Sequence, residues 1–171
     1  MNVLTDLAPG TKEEINVIIE VQKGSHNKYE IDKKTGLIAL DRVLHTTQHY
    51  PYDYGFVPQT LWEDGDALDV VLLTTHPLFP GLLVKARPVA LMHMNDSGES
   101  DDKVIAVPVG DPRWEHVKDL EDINKHTLKE IAHFYETYKQ LQDKVVVIPG
   151  WKGRKEAEEA FEKGSLAYKN K

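Results

Sequence analysis

The hydrophobic pattern of this chain changes its period about two thirds of the way along. Short apolar and β-branched runs separated by turn signals fill the first 110 residues, whereas apolar residues recur every three or four positions in residues 128–141 and 154–164. Alternation over a few residues is typical of strands, and the longer repeat is typical of amphipathic helices. The pattern therefore predicts a mainly β, α+β chain, with a barrel or sandwich and two flanking helices.

The segments with the strand pattern are residues 15–21, 28–32, 36–43, 67–75, 82–94 and 103–110. The second helix is predicted to stop at Gly164, because glycine is common just past helix ends. No internal repeat, low-complexity tract or linker interrupts the chain. We therefore expect residues 1–171 to form one domain, a closed or nearly closed barrel with two helices packed on it.

Three acids are crowded where one strand is predicted to begin. The stretch EDGDALDVVLL, residues 63–73, places Asp64, Asp66 and Asp69 within six positions and then enters an apolar run. Two carboxylates about 5 Å apart repel by roughly 3 kcal/mol at an effective dielectric constant of about 20. A turn of solvated acids is the common explanation. Asp69 weakens it, because residues that favour burial surround this acid, so the cluster is expected to need a cation or a basic partner.

A second group of acids lies in the loop before Lys103. Its members are Asp96, Glu99, Asp101 and Asp102. Each group alone is more often a solvated loop than a site, but both lie at the ends of predicted strands and are able to converge. Several carboxylate oxygens together suit hard cations such as Mg²⁺ or Mn²⁺, although the spacing is not that of an EF-hand loop.

Basic side chains accompany these acids, and each has an ordinary explanation. Lys28 shares a strand face with Glu30, which is compatible with a surface ion pair of small value. Arg42 follows a strand, where a surface arginine is the default and an inward one would bind phosphate. Lys139 leaves the predicted helix beside Tyr138, so it lies either on the surface or in a shared cavity.

Two further features have open alternatives. Glu20 interrupts the apolar run INVIIEV and faces either solvent or the site. The segment HYPYDYGFVPQT, residues 49–60, carries several tyrosines between two prolines. It would form either a packed wall or a wall that donates hydrogen bonds while excluding water.

Composition narrows the classes of function. The net charge of -7 disfavours nucleic acid or an anionic membrane as a partner. The chain has no cysteine, which excludes thiolate chemistry and is compatible with a cytoplasmic protein. We see no signal peptide and no apolar run of membrane-spanning length, and the sequence lacks the P-loop, Rossmann, nucleophile-elbow and zincin motifs.

Many oxygen ligands, several cations, tyrosine donors and no serine or cysteine nucleophile are what metal-assisted hydrolysis of a compact polyanion requires. A carboxylate not fully used in metal binding would accept the proton of the attacking water. Two alternatives remain at this point. One is a barrel that binds single-stranded nucleic acid, which the charge disfavours, and the other is a metal phosphohydrolase acting on nucleotides or phosphoesters.

The motifs together resemble the family I soluble inorganic pyrophosphatases of the short prokaryotic type. The resemblance runs from about Val17 to Lys139. It rests on VIIE, KYEIDKKTG, LDRV, YPYDYGFVPQT, DGDALDV, the second acidic group with its ending DDK, and IAHFYETYK. It implies an OB-like five-stranded closed barrel with helices, hydrolysis of pyrophosphate to two phosphates with Mg²⁺ (Mn²⁺ or another divalent metal being possible), and a homohexamer.

The resemblance also implies roles for individual residues. The matching metal ligands are Asp64, Asp69, Asp101 and Asp96, the last for further metal ions, and Asp66 matches the general base. The phosphate-binding set is Lys28, Arg42, Tyr54, Tyr138 and Lys139, and the supporting positions are Glu20, Glu30, Tyr50 and Lys103.

This chain departs from the family pattern at two points. Ala67 stands where the family usually has proline, so we expect retained activity with a looser loop. Asp101 and Asp102 are adjacent, and strand alternation lets only one of them enter the site easily; the family spacing selects Asp101.

Overall fold

The computed structural model describes residues 1–171 and contains nine strands and two α-helices. The strands are β1 Ile15–Val21, β2 Asn27–Ile31, β3 Ile38–Val43, β4 Asp53–Phe56, β5 Asp69–Leu72, β6 Leu83–Asp96, β7 Glu99–Ser100, β8 Lys103–Pro108 and β9 Val146–Gly153. The helices are α1 Lys125–Thr137 and α2 Arg154–Lys169, with short 3₁₀ turns at Pro112–Trp114, Leu120–Asp122 and Gln140–Gln142. No helix combines the length and apolarity that crossing a bilayer requires.

Five strands close into a ring, which confirms the predicted mainly β fold with an OB-like ring and two helices. Each pairs with two others in the order β1, β4, β5, β8, β6 and back to β1; only the β5–β8 pair is parallel. The long β6 also pairs with β7 and β9, and irregular registers near Pro88 and His93 interrupt its ladders. Strands β2 and β3 form a separate hairpin.

Alternate residues of the ring strands face two apolar cores, as the pleat of a strand dictates. In β5, Val71 belongs to the core that includes Ile131 of α1, whereas Val70 and Leu72 belong to the core that includes Phe161 of α2. One helix therefore covers each core.

Several boundaries differ from the sequence prediction. Helix α1 begins at Lys125 rather than residue 128 because the Asn124 side chain accepts a hydrogen bond from His126 N and caps the helix. Helix α2 continues through Gly164, which is buried inside it, so the predicted stop was wrong. Strands β4, β7 and β9 were not predicted.

Candidate active site

One cavity of about 280 Å³, here called the acidic cavity, collects both acidic groups of the sequence except Asp102. The carboxyl side chains that line it are Glu20, Glu30, Asp64, Asp66, Asp69, Asp96, Glu99 and Asp101. Its lysines are Lys28, Lys33, Lys103 and Lys139, and its tyrosines are Tyr50, Tyr54, Tyr135 and Tyr138. If all were ionised, carboxylates would outnumber ammonium groups two to one, so the cavity favours additional cations.

The acidic loop, residues 61–68, is the second part of the connection from β4 to β5 and brings two acids to the cavity. Trp62 N donates to the carbonyl oxygen of Asp66 over 2.7 Å, and Asp66 N donates to Asp64 Oδ1 over 3.0 Å. Gly65 has φ +86, a conformation that glycine adopts without steric cost. The loop therefore closes on itself with both carboxylates at the cavity.

Lys103 binds the two acidic groups together at the cavity wall. Parallel pairing of β5 with β8 sets Asp69 opposite Lys103, and Lys103 Nζ lies 2.8 Å from Asp69 Oδ2 and 3.1 Å from Asp101 Oδ1. The lysine is 2% exposed, and its ammonium lies 5.4 Å from the ring centroids of Tyr54 and Tyr135. Burial opposes the charge of Lys103, but the two carboxylates outweigh it and raise its pKa well above the ordinary value.

The adjacent acids Asp101 and Asp102 have different surroundings. Asp101 lines the cavity, and burial raises its pKa to about 8, although Lys103 opposes that shift. Asp102 instead accepts hydrogen bonds from Met94 N over 3.0 Å and from His93 Nδ1 over 2.8 Å. Of these two neighbours, which lie between β7 and β8, only Asp101 lines the cavity.

Glu20 lies in the cavity wall and not in solvent. It is 8% exposed, and its Oε1 accepts a hydrogen bond from Ile31 N over 2.9 Å, which ties β1 to the β2–β3 hairpin. Burial raises its pKa to about 8. The solvent-facing alternative for Glu20 is therefore wrong.

The β2–β3 hairpin contributes a basic pair beside the cavity. Register sets Lys28 opposite Arg42, and Lys28 forms the predicted ion pair with Glu30. Arg42 does not line the cavity itself, but its Cζ lies 5.9 Å from the ring centroid of Tyr138, which does. Only Nη1 is bonded, to Asp41 at 2.7 Å, while the buried Nε and Nη2 have no hydrogen-bond partner. Arg42 therefore retains donors for an anion.

The residues after α1 supply another part of the cavity wall. Lys139 forms an ion pair with Asp96, and its ammonium lies 5.3 Å from the ring centroid of Tyr138. Burial opposes ionisation of Asp96, but the hydrogen bond from Lys139 outweighs it and lowers the pKa of this acid. Tyr138 and Lys139 thus line the same cavity. Of the two alternatives from the sequence, the shared cavity is the one that the structure shows.

The sequence analysis did not assign two polar residues of the cavity, Lys33 and Tyr135, to the site. Lys33 Nζ lies 2.5 Å from Asp66 Oδ1, yet both side chains are largely exposed, and the turn sequence KKTG alone does not single out Lys33. Tyr135 was assigned only to the apolar face of the helix; its spacing from Tyr138 is the signal that could have placed it here. Glu99 belonged to a predicted acidic group but had no assigned role.

Comparison with known proteins gives the family. Residues 17–169 match the family model for inorganic pyrophosphatase. The chain belongs to the inorganic pyrophosphatase family. An inorganic pyrophosphatase of Haloferax volcanii is 49% identical over 164 residues, 95% of this chain and 93% of the relative. The crystal structure of inorganic pyrophosphatase from Thermus thermophilus is 45% identical, covers 99% of each chain and has a TM-score of 0.95. The pyrophosphatase of Helicobacter pylori is 42% identical, with a TM-score of 0.92, over 96% of this chain and 99% of the other.

Membership of the pyrophosphatase family implies a divalent metal cofactor, and the cavity offers suitable donors. Carboxylate oxygens are the ligands of hard cations, and burial raises the pKa of Asp64 and Asp101, a penalty that a bound cation would relieve. No three acidic or histidine side chains are already arranged around one point. In the structure, the carboxylates of Asp69 and Asp101 form ion pairs with Lys103. Metal binding therefore requires these two carboxylates to contact both Lys103 and the ion.

Proposed function

We propose that this chain hydrolyses inorganic pyrophosphate to two phosphates, with Mg²⁺ as the metal and the acidic cavity as the active site. The observation that carries the proposal is the convergence of both acidic groups on one cavity, with Lys103 between Asp69 and Asp101, in a chain of this family. Mn²⁺ or another divalent cation would be able to replace Mg²⁺.

We assign the metal to Asp64, Asp69, Asp96 and Asp101. When bound, the metal would neutralise the pyrophosphate and lower the pKa of a water in the cavity. Glu20, Glu30, Tyr50 and Lys103 support this wall. Lys103 keeps Asp69 and Asp101 from separating, and the Ile31 N hydrogen bond to Glu20 holds the hairpin against β1.

The phosphate groups would be held by Lys28, Arg42, Tyr54, Tyr138 and Lys139. The unpartnered Nε and Nη2 of Arg42 support this assignment, because a guanidinium binds phosphate through two parallel donors. Tyr138 lies between the two cations, 5.9 Å from Arg42 Cζ and 5.3 Å from Lys139 Nζ. The arrangement would orient one phosphoryl group for attack.

Asp66 would act as the general base. It is more exposed than Asp69 or Asp101, and its one ion pair is with the exposed side chain of Lys33. It would take the proton of the attacking water as the new phosphorus–oxygen bond forms and the bridging phosphorus–oxygen bond breaks, releasing two phosphates.

The proposal further treats residues 1–171 as one domain that assembles as a homohexamer. Exposed apolar side chains away from the cavity support assembly: Leu37, Leu40, Val43, Phe79, Leu141 and Val145. Light scattering should give about six times the chain mass of 19.4 kDa; the chain mass itself would contradict assembly. A cytoplasmic location stays a prediction from the sequence.

The direct test measures phosphate released from pyrophosphate with Mg²⁺, with and without a chelator, and with ATP as a parallel substrate. The proposal predicts rapid, metal-dependent release from pyrophosphate and little release from ATP. Equal release from ATP would favour a general phosphohydrolase. No release from either, by folded protein, would overturn the proposal.

A further inference from the structure

Helix α2 contributes no residue to the acidic cavity but contacts the loop that does. Leu61 N donates to the carbonyl oxygen of Gly164 over 3.0 Å. Lys163 Nζ lies 4.6 Å from the ring centroid of the buried Trp62 and forms an ion pair with Glu63. Three consecutive residues at the start of the acidic loop are therefore attached to two consecutive residues of one helix.

Gly164 allows this close approach. A Cβ at position 164 would lie 3.3 Å from Thr60 Cβ and 3.7 Å from the Leu61 carbonyl oxygen. Glycine in a helix interior is unfavourable relative to alanine, and Gly164 is not at the end of α2. Its position is explained by the Thr60 side chain and the Leu61 backbone, which pack directly against it.

Thr60 links the contact with Gly164 of α2 to the segment that carries Asp64 and Asp66. Its buried Oγ1 donates to the Val57 carbonyl oxygen over 2.6 Å and accepts from Leu68 N over 2.9 Å, which joins the two ends of the connection from β4 to β5. Trp62 N then fixes the Asp66 carbonyl oxygen at 2.7 Å. A displacement at Thr60 or Trp62 would move Asp64 and Asp66 together.

We infer that α2 is a positioning element for the metal site, and that Gly164 and Lys163 are positioning residues for Asp64 and Asp66. The inference rests on the proposed function, since it concerns the metal that the acidic loop would bind. It assigns a catalytic consequence to a helix that otherwise only covers one apolar core.

Gly164→Ala gives the first test. Alanine favours the helix, but its methyl group would press on Thr60 and shift the loop. We expect weaker binding of Mn²⁺, measured directly by electron paramagnetic resonance, and a matching rise in the metal concentration for half-maximal hydrolysis. The kcat at saturating metal should fall as well, because Asp66, the proposed general base, shifts together with Asp64. Thermal unfolding in chelator reports helix stability separately. Mn²⁺ affinity equal to that of the parent protein would overturn the role of Gly164.

Lys163→Met gives the second test, with Lys155→Met as the matched control. Lys155 lies on the same helix and also has an acidic neighbour, Glu159 at 3.8 Å, but does not contact the loop. We expect Lys163→Met to weaken Mn²⁺ binding by up to about threefold, which corresponds to the whole contribution of one exposed cation–π contact. Lys155→Met should leave Mn²⁺ binding unchanged. Equal affinities in both variants would overturn the inference. A parent protein that neither binds Mn²⁺ nor hydrolyses pyrophosphate would instead overturn the proposed function.

Discussion

At the scale of single residues, the site depends on carboxyl groups in different surroundings. Lys103 forms ion pairs with Asp69 and Asp101, and burial raises the pKa of both Asp101 and Glu20 to about 8. Buried, unpartnered donors of Arg42 provide the complementary attraction for anions. The surroundings of Glu20 and of Arg42 each lead to a prediction.

Glu20→Gln should flatten the pH dependence of stability in the metal-free protein. Burial raises the pKa of Glu20 from 4.5 to about 8. Between those values the folded state keeps a proton that the unfolded chain has lost, so the free energy of unfolding falls as pH rises, by up to about 1.4 kcal/mol per pH unit. Glutamine cannot lose that proton. Urea unfolding in chelator across this range measures the slope, with the exposed Glu159→Gln as control; an unchanged slope for Glu20→Gln would refute the assignment.

Arg42→Lys should weaken binding of pyrophosphate more than it lowers turnover. Lysine keeps the charge but loses the paired donors of the guanidinium. Loss of charge-assisted hydrogen bonds predicts a KM about tenfold or more higher. Steady-state kinetics at saturating Mg²⁺ tests this, with Arg113→Lys as control because Arg113 is exposed and outside the cavity. An unaltered KM would remove Arg42 from the phosphate-binding set.

At the scale of elements, the acidic loop is held by its own hydrogen bonds, by Thr60 and by α2. Ala67 lies in this loop, at the position where the family usually has proline, so its backbone lacks the restraint of a proline ring. Its N–H donates none of the hydrogen bonds of the loop. The loop is therefore the element in which a local change of backbone freedom should be measurable.

Ala67→Pro should stabilise the chain. Proline reduces the freedom of the unfolded chain and here displaces no donated hydrogen bond, so the free energy of unfolding should rise by about 0.4–1 kcal/mol. Metal affinity should be equal or higher. Urea unfolding in chelator and Mn²⁺ titration are the measurements. A clear loss of stability would show that the backbone at position 67 does not accept proline.

The sequence predicted the elements that carry a simple hydrophobic period. Strands β1, β2, β3, β5, β6 and β8 and both helices were found, with ends shifted by a few residues. Strand β4 was missed because its residues, DYGF, are buried on both faces and read as an aromatic loop. Strand β9 was missed because Pro149 and Gly150 interrupt its pattern. Gly164 misled the prediction because a packing glycine and a terminating glycine look alike in a sequence.

The candidate site was more predictable than the boundaries. The acidic cavity contains every acid, lysine and tyrosine named for the site, and Arg42 lies beside it. Motif spacing located those residues and selected Asp101 over Asp102. Lys33 could not be assigned, because its proximity to Asp66 arises from the folding of distant segments. The spacing of Tyr135 from Tyr138 carried a signal, which the prediction did not use.

At the scale of the whole molecule, the crowded acids couple metal binding to folding. A ligand bound only by the folded state stabilises it by RT ln(1 + [L]/Kd), about 2.7 kcal/mol at a hundredfold excess over Kd. For a chain of this size we expect Mg²⁺ to raise the Tm by about 5 to 10 °C relative to chelator. Scanning calorimetry at matched ionic strength measures this, and equal Tm values would contradict a metal site within the fold.

The central claim is that Asp66 accepts a proton in a metal-dependent hydrolysis of pyrophosphate. The most direct measurement compares Asp66→Asn with the parent protein in two assays, phosphate release at saturating Mg²⁺ and Mn²⁺ binding by electron paramagnetic resonance. The account predicts that turnover falls by about a hundredfold or more, the usual contribution of a general base, while Mn²⁺ still binds. Undiminished turnover would contradict the claim, and loss of Mn²⁺ binding would make Asp66 a metal ligand instead.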